Sequence, residues 1–180
     1  MREGKIRHVG VSNYDARQMD ELARYGRVET VQPPYHMFHR DIEAQILPYT
    51  AEHDIGVLVY GPLAHGLLSG RMTPETKFPA DDWRSHSSDF TGKSFRQNLH
   101  VIERLKKYAD GRGLTLPQLA VAWTISHPAV HVAIVGARRA SQLDGTLSAA
   151  EVRLSEGDRG EIARILSEAV PVMGPSPEGM

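Results

Sequence analysis

The residues best suited to chemistry lie near the C-terminus, where an apolar run ends in glycine and two arginines. The run covers residues 132–135, and Gly136, Ala137, Arg138 and Arg139 follow it. A strand that stops at a glycine and leads into a helix presents free backbone N–H groups to an anion. Guanidinium groups add bidentate donors that suit a phosphate. The segment predicts a phosphate clamp and a phosphorylated cofactor. Taken alone, it fits a solvent-facing basic turn equally well.

The composition limits the class of protein. At 180 residues the chain fits one domain with a hydrophobic core, and its net charge of −1 gives no indication of nucleic-acid binding. It has no cysteine, which excludes disulfides and thiol chemistry. His36 and His39 have a spacing that could bind a metal, but no third ligand follows at a suitable spacing, so no metal is predicted. No apolar run reaches the length of a membrane span, and we expect a cytoplasmic protein that does not bind membranes.

Apolar runs and helical patterns alternate along the chain. Strands are predicted at residues 7–11, 28–32, 55–60 and 132–135. Helices are predicted at residues 15–26, 41–53 and 95–111, and from residues 115, 139 and 155 onward. Pro48 indicates a kink or a late start in the second helix. Residues 64–94 predict a long loop, and residues 171–180 a flexible tail.

This alternation predicts an α/β fold in which helices cover a parallel sheet. Polar residues and glycines gather after each strand, at the edge where parallel α/β folds bind ligands. A doubly wound sheet is possible, but no G-x-G-x-x-G motif follows a strand. A (β/α)₈ barrel of the TIM type fits better, because its phosphate site typically follows the last two strands. The two loops of this chain that are richest in polar residues and glycines follow its last two predicted strands.

Four segments resemble successive signatures of the aldo-keto reductases. They are residues 4–13 (GKIRHVGVSN), 31–35 (VQPPY), 60–64 (YGPLA) and 134–139 (IVGARR). Their order and separations match the family, and the resemblance extends from about Gly4 to about Leu166. It implies a (β/α)₈ barrel that reduces aldehydes and ketones with NADPH and without a metal.

The matched segments look like strands five to eight of that barrel, so residues 1–170 would form the C-terminal half of the oxidoreductase domain. In the family the catalytic Asp, Tyr, Lys and His follow strands one to four. We therefore assign no catalytic residue here and expect the chain alone to be an inactive, truncated part of a reductase with a small-molecule carbonyl substrate. Two alternatives stay open: a noncatalytic NADP-binding module, and a half-barrel scaffold that self-associates through exposed sheet edges.

The resemblance also implies roles at the ends of the first three strands. Ser12, Asn13 and Gln32 would hydrogen-bond the nicotinamide carboxamide, which has both donors and acceptors. Tyr60 would stack on the nicotinamide ring and fix the face that delivers hydride. Without the resemblance, Ser12 and Asn13 are typical of a helix N-cap, and Tyr60 of an aromatic residue at a barrel rim.

Two loops would hold the rest of the cofactor. The loop after the third strand would wrap the pyrophosphate, because small residues let backbone N–H groups approach it. Its residues are Gly61, Pro62, Leu63 and Ala64. After the fourth strand, Gly136 and Gln142 would help to hold the adenosine end. Arg138 or Arg139 would bind the 2′-phosphate, which favours NADPH over NADH.

Overall fold

The computed structural model describes residues 3–137 and 139–175. Four parallel strands form one sheet, in which the spatial order follows the chain order. The strands are β1 (Gly10–Ser12), β2 (Thr30–Gln32), β3 (Gly56–Tyr60) and β4 (Val132–Ile134). The helices are α1 (Ala16–Ala23), α2 (Ile46–Glu52), α3 (Gly92–Gly111), α4 (Leu116–Ile125), α5 (Ala140–Leu147) and α6 (Glu156–Leu166). The predicted parallel sheet is confirmed.

The first three strands begin later than their apolar runs do, because a strand starts only where its backbone is paired, whereas β4 begins where its run begins. Pairing of β1 with β2 begins at Gly10 and Thr30 and ends at Ser12 and Gln32. The pairing of β3 with β4 runs from Leu58 to Tyr60 on the β3 side. All four carboxyl ends therefore lie at one edge of the sheet, as they must in a parallel arrangement.

The two faces of the sheet differ in burial. Val31, Val57 and Val59 on one face are completely buried and belong to the hydrophobic core, which includes residues of every helix except α5. On the opposite face Thr30 lies between two glycines, and a Cβ at Gly10 would overlap its Oγ1. A Cβ at Gly56 would come within 3.2 Å of its Cγ2. Glycine is therefore required at Gly10 by the close approach of a neighbouring strand.

The edges of the sheet are open in the part of the chain that the structure describes. There β1 pairs only with β2, and β4 pairs only with β3. Val132 and Ile134 of β4 are 45% and 39% exposed, which is unusual for apolar strand residues. The free sides of β1 and β4 therefore have backbone groups that further strands could pair with, and the sheet face with Val132 and Ile134 is uncovered.

Helix starts follow the capping signals of the sequence. Asp15 begins α1 and Thr115 begins α4, each with a glutamine three residues later that completes a capping box. The predicted helix at 41–53 is instead a 3₁₀ turn at Asp41–Glu43 followed by α2. Because α2 begins at Ile46, Pro48 falls in its first turn, where a missing N–H breaks no helical hydrogen bond.

The long segment before α3 is irregular, as predicted, but it is not loosely packed. It contains 3₁₀ turns at Ala64–Ser69, Trp83–Ser85 and Ser88–Phe90. The aromatic rings of Trp83 and Phe90 meet edge to face with centroids 5.4 Å apart. Among the residues that the structure describes, no helix is long and apolar enough to cross a membrane.

Residues 171–175 belong to the segment predicted to be a flexible tail, and they pack against the rest of the fold. Val172 is completely buried, and its N–H donates to the carbonyl of Phe38 at 3.0 Å. Asn98 of α3 holds the preceding residue, Val170, by two hydrogen bonds of 2.8 and 3.0 Å. Proline and glycine in the sequence indicated mobility, but one buried valine and these bonds fix the backbone. Residues 176–180 lie outside the described residues.

Candidate functional site

Four of the predicted site residues meet at the carboxyl edge of β1, β2 and β3. The Ser12 hydroxyl donates to the carbonyl oxygen of Gln32 at 3.0 Å, and the Asn13 N–H donates to the same oxygen at 3.3 Å. The Tyr60 hydroxyl donates to the side-chain oxygen of Asn13 at 3.0 Å. Residues far apart in the sequence thus form one polar cluster, which we call the strand-end cluster.

The strand-end cluster is accessible and uncharged. Ser12 is exposed, and Asn13, Gln32 and Tyr60 are half-buried. Burial raises the pKa of Tyr60, while its hydrogen bond to Asn13 acts in the opposite direction. The phenol is therefore protonated at neutral pH, and the cluster offers an aromatic ring together with amide donors and acceptors. Such a set can bind a flat heteroaromatic amide.

The loop after β3 has an unusual backbone. Gly61 has a φ of +71°, and three consecutive residues, Ala64, His65 and Gly66, have φ values of +47°, +54° and +95°. Left-handed conformations are disfavoured for residues with a Cβ. The Ala64 N–H donates to Gly61 O at 2.9 Å, and the Gly66 N–H donates to Leu63 O at 3.0 Å. The sequence indicates this loop by its glycines and its proline, but no residue type signals the left-handed Ala64 or His65.

The predicted phosphate clamp after β4 is only partly described. Arg138 lies outside the described residues. Arg139 and Gly136 are exposed, and Arg139 occupies the N-cap position of α5 in an extended conformation. Its N–H donates to the side-chain oxygen of Gln142 at 3.2 Å. A glycine, an arginine and a helix N-terminus are therefore adjacent, as the sequence predicts.

His36 and His39 are buried beside the loop after β3, next to the half-buried His65, and sequence reasoning did not predict this grouping. The ring centroid of His36 lies 5.7 Å from that of His39 and 6.0 Å from that of His65. Burial, reinforced by the two neighbouring histidines, lowers the pKa of His36 to about 3, and burial also lowers the pKa of the other two. Within the described ranges no three His, Asp or Glu side chains are placed to hold a metal ion.

Two cavities are open to solvent. The smaller, about 390 Å³, lies beside Asn13 and Tyr60 and is bounded by Pro34, His39 and Met173. The larger, about 730 Å³, is lined by residues of α4, β4 and α5 and by no residue of the strand-end cluster. Its lining is mainly aliphatic, and it borders the exposed Val132. We place the candidate site at the smaller cavity, because Asn13 and Tyr60 of the strand-end cluster line it.

The sequence model of the Aldo/keto reductase family matches residues 1–167. The chain belongs to this family. It is 38% identical over 168 residues to the aldo-keto reductase YhdN of Bacillus subtilis, an alignment that covers 93% of this chain and 51% of that protein. It is 29% identical over 168 residues to the NADH-specific methylglyoxal reductase of Escherichia coli, again covering 93% and 51%.

A solved structure supports the same fold. The glycerol dehydrogenase AKR11B4 from Gluconobacter oxydans matches with a TM-score of 0.89 at 36% identity, covering 99% of this chain and 54% of that one. The α/β fold with its parallel sheet is therefore similar to that of an aldo-keto reductase barrel. At the family level, the comparisons support carbonyl reduction with a nicotinamide cofactor. The chain spans about half the length of the relatives it matches.

Proposed function

We propose that this chain provides the cofactor-binding half of an NADPH-dependent carbonyl reductase. The observation that carries the proposal is the strand-end cluster, in which Asn13 and Tyr60 are joined at 3.0 Å beside Ser12 and Gln32. Both edges of a nicotinamide carboxamide need partners, and this cluster offers donors and acceptors next to an aromatic ring. Membership of the aldo/keto reductase family supports the same assignment.

Residues 1–170 would form strands five to eight of a (β/α)₈ barrel, with their helices. The open face of the sheet, the unpaired sides of β1 and β4 among the described residues, and the aliphatic cavity along β4 all support this. Four further βα units would cover these surfaces and close the barrel. In the isolated chain, the same surfaces would favour self-association.

Each part of the cofactor would then be bound by a different group of residues. Ser12, Asn13 and Gln32 would orient the carboxamide, and Tyr60 would pack against the ring that supplies the hydride. The loop from Gly61 through Pro62 and Leu63 to Ala64 would receive the pyrophosphate through backbone N–H groups. Gly136, Arg138, Arg139 and Gln142 would hold the adenosine end, and an arginine on the 2′-phosphate would select NADPH.

Proton donation is the step that this chain does not provide on our proposal. Reduction of a carbonyl needs an acid within hydrogen-bond reach of the developing alkoxide. The Tyr60 hydroxyl is bound to Asn13, and the buried Tyr35 hydroxyl donates to Glu43 at 2.6 Å. Burial raises the pKa of Tyr35 well above its usual range. Without an acid the rate would fall by roughly 10²–10⁴, so the chain alone would be inactive.

The test is a fluorescence titration of the chain with NADPH and NADH, for the wild type and for the double variant Arg138→Ala/Arg139→Ala. Each charged hydrogen bond lost should weaken NADPH binding by about 1.5–3 kcal/mol. NADH binding should change little, because NADH lacks the 2′-phosphate. Equal loss for both cofactors would show that the arginines act on the fold or the pyrophosphate, and no loss for either would exclude the clamp.

The same preparation is then assayed with 4-nitrobenzaldehyde by NADPH absorbance. The small carbonyl named for one relative and the glycerol named for another make a small aldehyde a suitable probe. We expect no turnover above the background of the buffer. A rate in the usual enzyme range of about 1–10³ s⁻¹ would show that this half contains a proton donor.

A further inference from the structure

The left-handed run in the loop after β3 requires something to hold it. Ala64 and His65 both carry a Cβ and both have positive φ values, of +47° and +54°. A single residue visits this region at an energetic cost, and two in succession persist only when their surroundings fix them. The carbonyl of His65 lies inside this run, and it accepts a hydrogen bond from outside the turn.

Arg84 satisfies that carbonyl from a different part of the chain. Its Nη1 donates to His65 O at 2.9 Å. Its other two nitrogens are bound by Asp82, with Nε on Oδ1 at 2.9 Å and Nη2 on Oδ2 at 2.6 Å. The guanidinium also lies over the ring of Phe78, with its central carbon 4.5 Å from the ring centroid. All three guanidinium nitrogens of Arg84 are therefore engaged within the fold.

Trp83, which lies between Asp82 and Arg84 in the sequence, adds a second contact to the same turn. The ring of Trp83 meets the ring of His65 edge to face with centroids 5.0 Å apart. The short segment from Asp82 to Arg84 thus holds His65 by its backbone and by its side chain. Both side chains of the ion pair are only 20% exposed, so the pair is partly shielded from solvent and from salt.

We propose that Asp82 and Arg84 form a positioning pair that sets the shape of the loop after β3 before any cofactor binds. The cofactor part of this inference rests on the proposed function. An arginine near a phosphate loop is ordinarily expected to bind the phosphate directly. Here, a move of Arg84 to a phosphate would break its two side-chain hydrogen bonds to Asp82 and would release the His65 carbonyl. Arg84 therefore acts through the loop, and a preformed loop lowers the ordering cost of binding.

The first test compares Arg84→Met with Arg96→Met, which removes an exposed arginine from α3. In Arg84→Met we expect the affinities for NADPH and NADH to fall by the same factor, about tenfold, because both cofactors contain the pyrophosphate. Arg96→Met should leave both affinities unchanged. Arg84→Lys keeps the charge but lacks the planar fork, and should lose affinity as Arg84→Met does.

A rescue variant separates positioning of this loop from a general loss of stability. Glycine adopts positive φ values freely, so Ala64→Gly added to Arg84→Met should restore most of the lost affinity. A general structural defect would not be rescued by a glycine at this position. Loss confined to NADPH in the single variant would show that Arg84 touches the 2′-phosphate, and would overturn the proposal.

Amide hydrogen exchange measured without cofactor keeps the inference independent of the proposed function. The N–H groups of Gly66 and Leu68 both donate to the Leu63 carbonyl, at 3.0 and 3.1 Å. Their exchange should become at least about tenfold faster in Arg84→Met and in Arg84→Lys, and stay unchanged in Arg96→Met. Unchanged exchange in the Arg84 variants overturns the positioning pair. If the wild type binds neither cofactor, the proposed function is wrong. The exchange rates still decide whether Asp82 and Arg84 hold the loop after β3.

Discussion

We propose that the loops following β3 and β4 bind phosphates of the same cofactor, yet the two loops are built in different ways. After β3 the backbone turns through left-handed residues, and a set of apolar side chains anchors it in the core. This set is Pro62, Ala64, Leu67 and Leu68. After β4, Gly136, Ala137 and Arg139 are exposed, and the helix that follows has no fully buried residue among those whose side chains are described.

The difference follows from the position of the two strands. β3 is paired on both sides, and the long segment before α3 packs over its loop. In the described residues β4 is paired on one side only, and its Val132 and Ile134 are exposed. Packing therefore sets the geometry of the loop after β3. The loop after β4 instead offers an exposed positive charge. On our proposal, the loop after β3 would bind the pyrophosphate, which all nicotinamide cofactors contain, and the loop after β4 would bind the 2′-phosphate, which distinguishes NADPH from NADH.

The largest expected effect is on stability and tests whether the loop after β3 is part of the core. Leu68 is completely buried, whereas Leu147 of α5 is 68% exposed. Leu68→Ala should lower the free energy of unfolding by about 2–5 kcal/mol, because it leaves a cavity. Leu147→Ala should change it by no more than about 0.5 kcal/mol. Urea denaturation measures both, and equal effects would remove the contrast between the loops.

A second test uses the pH dependence of stability on the β3 side. The pKa of His36 is lower in the folded protein, about 3, than the 6.5 of an ordinary histidine. As the pH falls, the unfolded chain therefore binds a proton at this position before the folded protein does. The contribution of His36 to the free energy of unfolding is complete above pH 6.5 and is lost as the pH falls toward 3. Going from about pH 7 to about pH 5 should cost about 2 kcal/mol of unfolding free energy through this histidine.

The matched variants for that measurement are His36→Asn and His100→Asn. His100 is exposed on α3, and the slope of stability against pH in its variant serves as the reference. In His36→Asn the slope between about pH 7 and about pH 5 should become shallower. A slope that is equally steep in both variants would assign the acid sensitivity to other groups, such as the neighbouring His39 and His65.

The smallest expected effect is on the salt dependence of binding, and it probes the β4 side. Because Arg139 is exposed, its attraction for a 2′-phosphate should be screened by salt. Between about 50 and about 500 mM salt, the preference for NADPH over NADH should shrink by about 0.5–1 kcal/mol. The double variant Arg138→Ala/Arg139→Ala should show no such change. An equal change of this preference in the double variant would show that the salt effect does not arise from Arg138 or Arg139.

The sequence predicted the features that depend on local pattern. The run at 55–60 and its flanking glycine and proline predicted β3, and the parallel arrangement then placed Asn13, Gln32 and Tyr60 at one edge. Capping residues such as Thr115 predicted where helices start. These predictions hold because each depends on neighbouring residues and on the geometry common to parallel sheets.

The features that sequence reasoning missed depend on contacts between distant residues. Neither Ala64 nor His65 is a residue type that signals positive φ, and the partner that holds them, Arg84, lies 19 residues from His65. Buried Asp158 is a similar case, since Tyr108 of α3 binds it at 2.5 Å across 50 residues. No periodicity or motif reports such pairs, because side-chain partners are chosen by the packing of whole helices.

The segment at 170–175 also constrains the order in which the protein can fold. It holds α3 through Asn98, the turn after β2 through Phe38, and the long loop through Asp89, whose carboxylate accepts the Met173 N–H at 3.1 Å. A chain emerges from the ribosome N-terminus first, so these contacts cannot form until nearly all of the residues described here have been made. Until then the surface around Phe38 lacks the cover that Val172 provides in the folded protein.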